Sequence, residues 1–205
     1  MNVNTVMSEY LSDMPKIWYY DFSGDNHTLS ELKKYLSDDR FSYCSGMKNI
    51  VSGLSSAYGY LLLRYALKTE YGISDMPIIT TGEHGKPFLE DHRDIFFNIS
   101  HAKKRVICSV SDRSVGVDIQ DIRNISLNTA EKFLSETEMK AVSEITDESE
   151  RDKELSRIWC IKESYSKMTG NGFAEGFCSI NTAELLEQKK VFVTIKDNYY
   201  ISICS

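Results

Sequence analysis

The sequence predicts an α+β protein made of two comparable halves. Segments with helical periodicity and segments rich in β-formers follow each other in blocks: two helices and then strands, and once more two helices and then strands. Apolar residues make up 41% of the 205 residues and only three residues are proline, which is typical of a folded globular chain. We expect an N-terminal half over 1–112 and a C-terminal half over 113–205. The halves are not visibly similar in sequence, so a duplication stays a hypothesis.

In the first half, helical spacing covers residues 29–38 and 46–69. Apolar side chains within 46–69 recur three and four positions apart, and they predict one buried stripe of an amphipathic helix: Ile50, Leu54, Tyr58, Leu61, Leu62 and Tyr65. The glycines and prolines between Gly72 and His92 predict a loop-rich connection, with one short strand at Pro77–Thr81.

Strands and helices then follow in turn along the chain. A strand is expected at Asp94–Ser100, and a short Asp-Arg turn predicts that Arg105–Ser111 and Ser114–Gln120 form a hairpin. Helical spacing returns over 127–144 and 153–169. Two alternating runs around Asp197-Asn198 predict a second hairpin, between Lys190–Lys196 and Tyr199–Cys204.

Charge, hydropathy and cysteine spacing exclude several classes of function. A net charge of −6 does not suit a surface that coats nucleic acid. No run approaches the roughly 18 apolar residues of a membrane span, and Met1–Asp13 lacks the features of a secretory signal. Five scattered cysteines without a C-x-x-C pair indicate reduced thiols, rather than zinc ligands or disulfides. We therefore expect a cytoplasmic protein with neither nucleic acid nor membrane as partner.

The strand at Val115–Gln120 separates apolar from polar side chains. Because side chains alternate between the faces of a strand, Val115, Val117 and Ile119 point to one side, and Asp118 and Gln120 to the other. Gly116 leaves space beside this polar side. An acid and an amide on an open face suit a hard cation or a polar ligand. On its own, however, the fragment is better explained as an exposed polar strand face.

The segment Ile158–Phe173 predicts a helix that ends at Gly170 and Gly172. Four apolar residues form its buried stripe: Ile158, Ile161, Tyr165 and Met168. Glu163 and Lys167 are one turn apart on the adjacent flank. Such a pair is ordinarily a surface salt bridge, so the spacing alone does not indicate a function.

Three further residues lie where a phosphate could be received. Lys86, in Gly85-Lys86-Pro87-Phe88, precedes a strand that ends in Phe97-Asn98-Ile99-Ser100-His101. Ser100 and His101 cannot form a catalytic dyad, because neighbouring side chains on a strand point apart. The sequence contains no P-loop.

Taken together, the segments resemble a known family. The runs G-K-P, F-N-I-S-H, V-G-V-D-I, W-x-x-K-E-S-x-x-K and G-x-G-F occur in this order between Gly85 and Phe173. This joint pattern is similar to that of the Sfp-like class of 4′-phosphopantetheinyl transferases, over 89 of the 205 residues. Each piece alone is weak, but the combination is specific.

The resemblance implies a fold and an activity. Members of this family have two similar α+β halves in one chain, with coenzyme A in the cleft between them. They transfer the 4′-phosphopantetheine arm of coenzyme A to a serine of an apo acyl or peptidyl carrier protein and release adenosine 3′,5′-bisphosphate. The reaction depends on Mg²⁺ and serves fatty acid, polyketide or nonribosomal peptide biosynthesis. We expect a monomer.

The resemblance also implies a metal site and a catalytic pair. Asp118 and Glu163 match the acidic Mg²⁺ ligands. Gln120 stands where the family most often has a third acid, so we expect it to ligate Mg²⁺ more weakly or through water. Glu163 is also the expected base, and Lys167 is expected to stabilise the leaving group.

For coenzyme A, the resemblance implies a second set of residues. Lys86, Ser100 and His101 match positions that contact the adenosine and its phosphates. Arg40 is a looser match to a basic contact of the 3′-phosphate. Lys162 is expected to be either a further phosphate contact or a structural residue.

Two alternatives differ in class from a carrier-protein modifying enzyme. One is a degenerate module that binds coenzyme A for regulation without turnover, although Asp118, Glu163 and Lys167 argue against it. The other is a metal-dependent phosphotransferase that acts on a small molecule, which the lack of a P-loop disfavours.

Overall fold

A computed structural model of the chain describes residues 3–5, 14–82, 85–170 and 176–205. The chain divides into two compact units: a first unit of Met1–Gly82 and Pro87–Val115, and a second unit of Glu83–Lys86 and Gly116–Ser205. Both contain helices and strands, so the fold is α+β. The similarity of the two halves that the resemblance implies stays a prediction. Asn171, Gly172 and Phe173 of the G-x-G-F run lie outside the described residues.

The first unit combines an antiparallel sheet with one long helix. Its strands and helices are β1 (Asn4–Thr5), β2 (Trp18–Asp21), α1 (Leu29–Leu32), α2 (Asp38–Ser45), α3 (Ile50–Tyr71), β3 (Ile79–Thr81), β4 (Pro87–Leu89), β5 (Phe96–Ala102) and β6 (Arg105–Ser111). The sheet has the order β1-β2-β6-β5, and β3 and β4 form a separate two-stranded ribbon.

The predicted buried stripe of the long helix α3 is only partly correct. Tyr58 and Leu62 are buried, but Ile50 is 80% exposed and Tyr65 is 45% exposed. Because α3 packs against the sheet on one side and against α1 and α2 on another, its buried surface is wider than one stripe and includes Tyr60. Among the described residues, no helix combines the length and the apolar character needed to cross a membrane.

The hairpin predicted from Arg105–Ser111 and Ser114–Gln120 is wrong. Strand β6 pairs with β2 along one edge and with β5 along the other, so neither edge is open to a third strand. The hairpin is instead β5–β6, whose turn at Lys103 takes a left-handed backbone with φ of 51°. The following strand belongs to the sheet of the second unit.

The second unit contains a three-stranded antiparallel sheet of order β7-β9-β8. Its elements are β7 (Gly116–Asp121), α4 (Leu127–Ala130), α5 (Glu136–Ser143), α6 (Glu148–Thr169), a 3-10 turn (Phe177–Ser179), α7 (Thr182–Glu187), β8 (Val191–Lys196) and β9 (Tyr199–Cys204). The predicted hairpin of the last two strands is confirmed. The helix predicted over 127–144 is two helices, because Ser135 starts a new one with a capping box that includes Glu138.

Helix α6 lies unusually close to strand β7. A Cβ atom built at Gly116 would overlap the carbonyl oxygen of Ser164 and the backbone nitrogen of Met168. The hydroxyls of Ser164 and Ser202 are hydrogen-bonded at 2.7 Å and join α6 to the neighbouring strand β9. The polar side of β7, which the sequence predicted to be open, is therefore covered by α6. Glycine at 116 is what permits this contact.

We predict that Gly116→Ala destabilises the protein by about 1–3 kcal/mol, because the added methyl group requires α6 to move away from β7. Gly24→Ala is the matched control, since a Cβ at Gly24 meets no atom within 4 Å. The free energy of unfolding from denaturant titration is the measurement. Equal stability of the two variants would show that the close packing at Gly116 is not required.

Candidate active site

The carboxylate of Asp118 lies under helix α6. Asp118 is only 5% exposed, and its Oδ1 atom is 2.5 Å from the Nζ atom of Lys167. Its backbone carbonyl accepts a hydrogen bond from the Cys160 thiol at 3.5 Å. Val115, Val117 and Ile119 are buried on the apolar side predicted for this strand, and the alternation directs Asp118 to the opposite side, toward the helix.

Lys167 joins two carboxylates. Its ammonium group also lies 3.8 Å from the Glu163 carboxylate, one turn earlier on α6, which confirms the predicted contact between these residues. Burial alone would lower the pKa of Lys167, but Asp118 and Glu163 together outweigh it and raise that pKa. Burial raises the pKa of Glu163, against the attraction of Lys167 and with support from Asp118. The arrangement keeps a lysine charged beside a glutamate that accepts a proton more readily than usual.

The donor set of this cluster fits a magnesium ion. Asp118 and Glu163 supply two hard carboxylate oxygens, and Mg²⁺ prefers oxygen ligands while keeping several waters. Within the described ranges, no cluster of three or more His, Cys, Asp or Glu residues is arranged to hold a metal. Gln120 is half-buried on β7, and its amide nitrogen donates a hydrogen bond to the carbonyl of Asp121 at 2.9 Å. Ligation by Gln120 stays a prediction.

Lys86 lies at the C-terminal end of the same helix. Its ammonium group donates a hydrogen bond to the carbonyl of Met168 at 2.5 Å. Burial lowers the pKa of Lys86. Gly170, two residues after Met168, ends α6 in a left-handed conformation with φ of 78°. The second unit therefore places Lys86 next to the helical turn that carries Lys167.

In the first unit, Ser100 and His101 occupy the end of β5. Ser100 is buried and His101 is exposed, next to the turn that leads into β6. The hydroxyl of Ser55, on α3, donates a hydrogen bond to the carbonyl of Lys103 in that turn at 3.2 Å. This bond holds the turn against the first part of α3.

Arg40, on α2, is held against the same part of α3. Its Nη2 atom donates to the carbonyl of Ser56 at 3.1 Å and to its hydroxyl at 2.7 Å. The guanidinium group also lies 4.8 Å from the ring of Tyr43 and 5.6 Å from the ring of Tyr60. Because Ser56 follows Ser55, Arg40 and the turn after His101 are anchored to adjacent residues of α3.

The structure contradicts a phosphate contact through Lys162 and supports its structural alternative. Lys162 has no exposed surface. Its ammonium group donates to the carbonyls of Phe133 at 2.8 Å and Phe177 at 2.9 Å, and to the carboxylate of Glu138 at 2.5 Å. All three of its N–H donors are therefore used inside the second unit. Lys162 and its neighbour Glu163 differ in this way because successive helix residues face different directions.

Glu138 is the residue that sequence reasoning missed. Its carboxylate accepts hydrogen bonds from Lys162 and Thr182, and from the backbone of Ser135. Burial would raise the pKa of Glu138, but these hydrogen bonds and the charge of Lys162 lower it overall. The S-x-x-E pattern at Ser135–Glu138 is visible in the sequence, yet it indicates only the start of a helix.

The geometry defines an α+β protein in which one long helix and one strand bring two carboxylates and a lysine together. The family model of the 4′-phosphopantetheinyl transferase superfamily matches residues 114–205, the part of the chain that contains this cluster.

Relatives extend the similarity beyond that region. The chain is 31% identical to the 4′-phosphopantetheinyl transferase gsp of Aneurinibacillus migulanus, over 85% of this chain and 71% of the relative. It is 28% identical to the 4′-phosphopantetheinyl transferase Sfp of Bacillus subtilis strain 168, over 80% and 73%. For psf-1 of Bacillus pumilus the identity is 27%, over 83% and 72%. The chain belongs to the 4′-phosphopantetheinyl transferase family and is an enzyme.

We predict that Lys162→Met lowers the free energy of unfolding at neutral pH by about 3–5 kcal/mol, because it leaves Glu138 buried without a counterion. Because the pKa of Glu138 is lowered in the folded protein, its ionised carboxylate stabilises the fold at pH values above the ordinary glutamate pKa. This stabilisation is lost as the pH falls from that value through the lowered pKa. The penalty should therefore shrink below about pH 4.

The measurement is the free energy of unfolding from denaturant titration, at neutral pH and below pH 4. The control is Lys140→Met, at an exposed position on α5. If the Lys162→Met protein were as stable as the unaltered protein but bound coenzyme A more weakly, Lys162 would be a phosphate contact and not a structural residue.

Proposed function

We propose that this enzyme transfers the 4′-phosphopantetheine arm of coenzyme A to a serine of an apo acyl or peptidyl carrier protein. The observation that carries the proposal is the cluster of Asp118, Lys167 and Glu163, which combines metal-binding oxygens, a fixed cation and a proton acceptor. The names of the relatives, all 4′-phosphopantetheinyl transferases, support the same class of reaction.

In this reaction the serine oxygen forms a bond to the β-phosphorus of coenzyme A. The bond from that phosphorus to the bridging oxygen breaks, and adenosine 3′,5′-bisphosphate leaves with the bridging oxygen. Glu163 is proposed to accept the proton of the serine hydroxyl, because its carboxylate lies 3.8 Å from Lys167 Nζ, whereas the carboxylate of Asp118 is already engaged by Lys167 at 2.5 Å.

Charge on the departing bisphosphate is balanced by the lysines of the second unit. Lys167 is held charged by Asp118 and Glu163, so it can stabilise the negative charge that develops on the bridging oxygen. Lys86 provides a second ammonium group at the end of α6 and is proposed to contact the phosphates. Mg²⁺, held by Asp118 and Glu163, would supply further charge neutralisation and orient the pyrophosphate.

For the nucleotide, the proposal uses residues of the first unit. Ser100 and His101 at the end of β5 are proposed to contact the adenosine and its phosphates. Arg40 is proposed to contact the 3′-phosphate, and its hydrogen bonds to Ser56 support this role because a guanidinium that is already held loses less entropy on binding. The monomeric state, the cytoplasmic location and the pathway served stay predictions.

The direct test is to incubate the protein with coenzyme A, Mg²⁺ and an apo carrier protein, and to measure the intact mass of the carrier. We expect the carrier to gain the mass of the phosphopantetheine arm. Asp118→Asn, which keeps the shape of the side chain, should abolish this gain in a folded protein.

Two results would contradict the proposal. Binding of coenzyme A without labelling of any carrier would support a regulatory module. Consumption of coenzyme A with a small-molecule acceptor would support a different phosphotransferase.

We further predict that Gln120→Glu lowers the half-saturating Mg²⁺ concentration roughly threefold to thirtyfold. A new carboxylate on the same side of β7 as Asp118 attracts the cation, although most of the attraction is offset by the loss of its own hydration. The maximal rate should change much less. A magnesium titration of both proteins at saturating coenzyme A is the measurement, and an unchanged midpoint would remove residue 120 from the metal site.

A further inference from the structure

Glu138 makes an unusually complete set of hydrogen bonds for a residue outside the candidate active site. Its Oε2 atom accepts from Lys162 Nζ at 2.5 Å and from the Ser135 amide at 2.8 Å. Its Oε1 atom accepts from the Thr182 hydroxyl at 2.7 Å and from the Thr182 amide at 3.2 Å. Glu138 is only 9% exposed, so these four bonds take the place of water.

Through Lys162, this carboxylate connects separate segments of the second unit. Lys162 belongs to α6, and its other two hydrogen bonds go to the carbonyls of Phe133, before α5, and Phe177, after α6. Thr182 is the first residue of α7. The pair of Glu138 and Lys162 therefore ties α6 to the chain that precedes it and to the chain that follows it.

The attachment point is adjacent to the reacting groups. Lys162 directly precedes Glu163, and Lys167 follows little more than one helical turn later. Because successive residues on a helix differ by about 100° in direction, holding Lys162 inward also fixes the direction of Glu163 and Lys167. Apolar packing of Ile158 and Ile161 is not directional, whereas hydrogen bonds to charged groups are.

Stability alone does not explain a buried ion pair at this position. Replacing such a pair with apolar residues of similar volume is often neutral or stabilising, because two charges must lose their hydration when they are buried. A role in geometry accounts for the pair, since directional hydrogen bonds restrain the rotation of α6 about its own axis more narrowly than apolar packing does.

We propose that Glu138 is a positioning residue: through Lys162 it sets the rotation of α6 and thereby places Glu163 and Lys167 against Asp118. This inference rests on the proposed function for its effect on the reaction. Its effect on geometry does not depend on that function.

The test is the double variant Glu138→Met/Lys162→Met, which removes both charges and leaves no partner buried alone. Thermal melting establishes that it is folded, and steady-state kinetics then measure transfer. We expect kcat to fall at least tenfold, and by a larger factor than the KM for coenzyme A rises, because only Lys86 of the described residues proposed to bind the nucleotide contacts α6.

A matched control is Glu154→Gln/Arg157→Gln. This ion pair, at 2.6 Å, also involves α6, but both partners belong to that helix and so do not tie it to a neighbour. We expect its kcat to equal that of the unaltered protein. A loss of kcat equal to that of the Glu138→Met/Lys162→Met protein would overturn the proposal.

Crystal structures of the unaltered protein and the Met variant give a readout that does not need turnover. The distance from Lys167 Nζ to Glu163 Oε2 is 3.8 Å in the unaltered protein, and we expect it to exceed 4 Å in the variant. Unchanged distances with unchanged kcat would overturn the proposal. If the unaltered protein transfers nothing, the proposed function fails, and these distances alone decide the role of Glu138.

Should the double variant fail to fold, Glu138→Gln is measured at a temperature where melting shows it to be folded. An amide in place of the carboxylate keeps the shape but loses the charge that holds Lys162. A lower kcat with an unchanged KM supports positioning, and an unchanged kcat overturns it.

Discussion

The close contact between helix α6 and strand β7 at Gly116 is the constraint on which the candidate active site depends. Asp118 is attached to the strand, while Glu163 and Lys167 are attached to the helix, so the distance between the two elements determines whether these side chains meet. Glycine is the residue that allows two backbones to approach this closely. Burial in this contact raises the pKa of Glu163, and the two carboxylates outweigh burial and raise the pKa of Lys167.

Two kinds of contact hold the helix in this position: one sets its distance from the sheet, and the other connects it to neighbouring helices. Packing at Gly116 and the hydrogen bond between Ser164 and Ser202 set how near α6 lies to the sheet. The buried pair of Glu138 and Lys162 connects the other side of α6 to α5 and α7. For the catalytic role proposed for this cluster both kinds of contact are needed, because small displacements of a catalytic group greatly lower the rate.

Sequence periodicity predicted the helix and the strand that carry the candidate site better than it predicted which other elements pack against them. The alternation in β7 and the one-turn spacing of Glu163 and Lys167 are local properties, and both were correct. The cover over Asp118 and the burial of Lys162 were not predicted, because a pattern shows which side of an element is apolar but not which element lies on its polar side. The predicted partner of β6 was also wrong, because strand pairing depends on residues far apart in the chain.

A crystal structure with coenzyme A and Mg²⁺ tests the central claim most directly. The account predicts that the metal binds Asp118 and Glu163 and that the β-phosphate lies within hydrogen-bonding distance of Lys167 Nζ. A pyrophosphate bound away from these three residues, with Lys167 still in its ion pair with Asp118, would contradict the account.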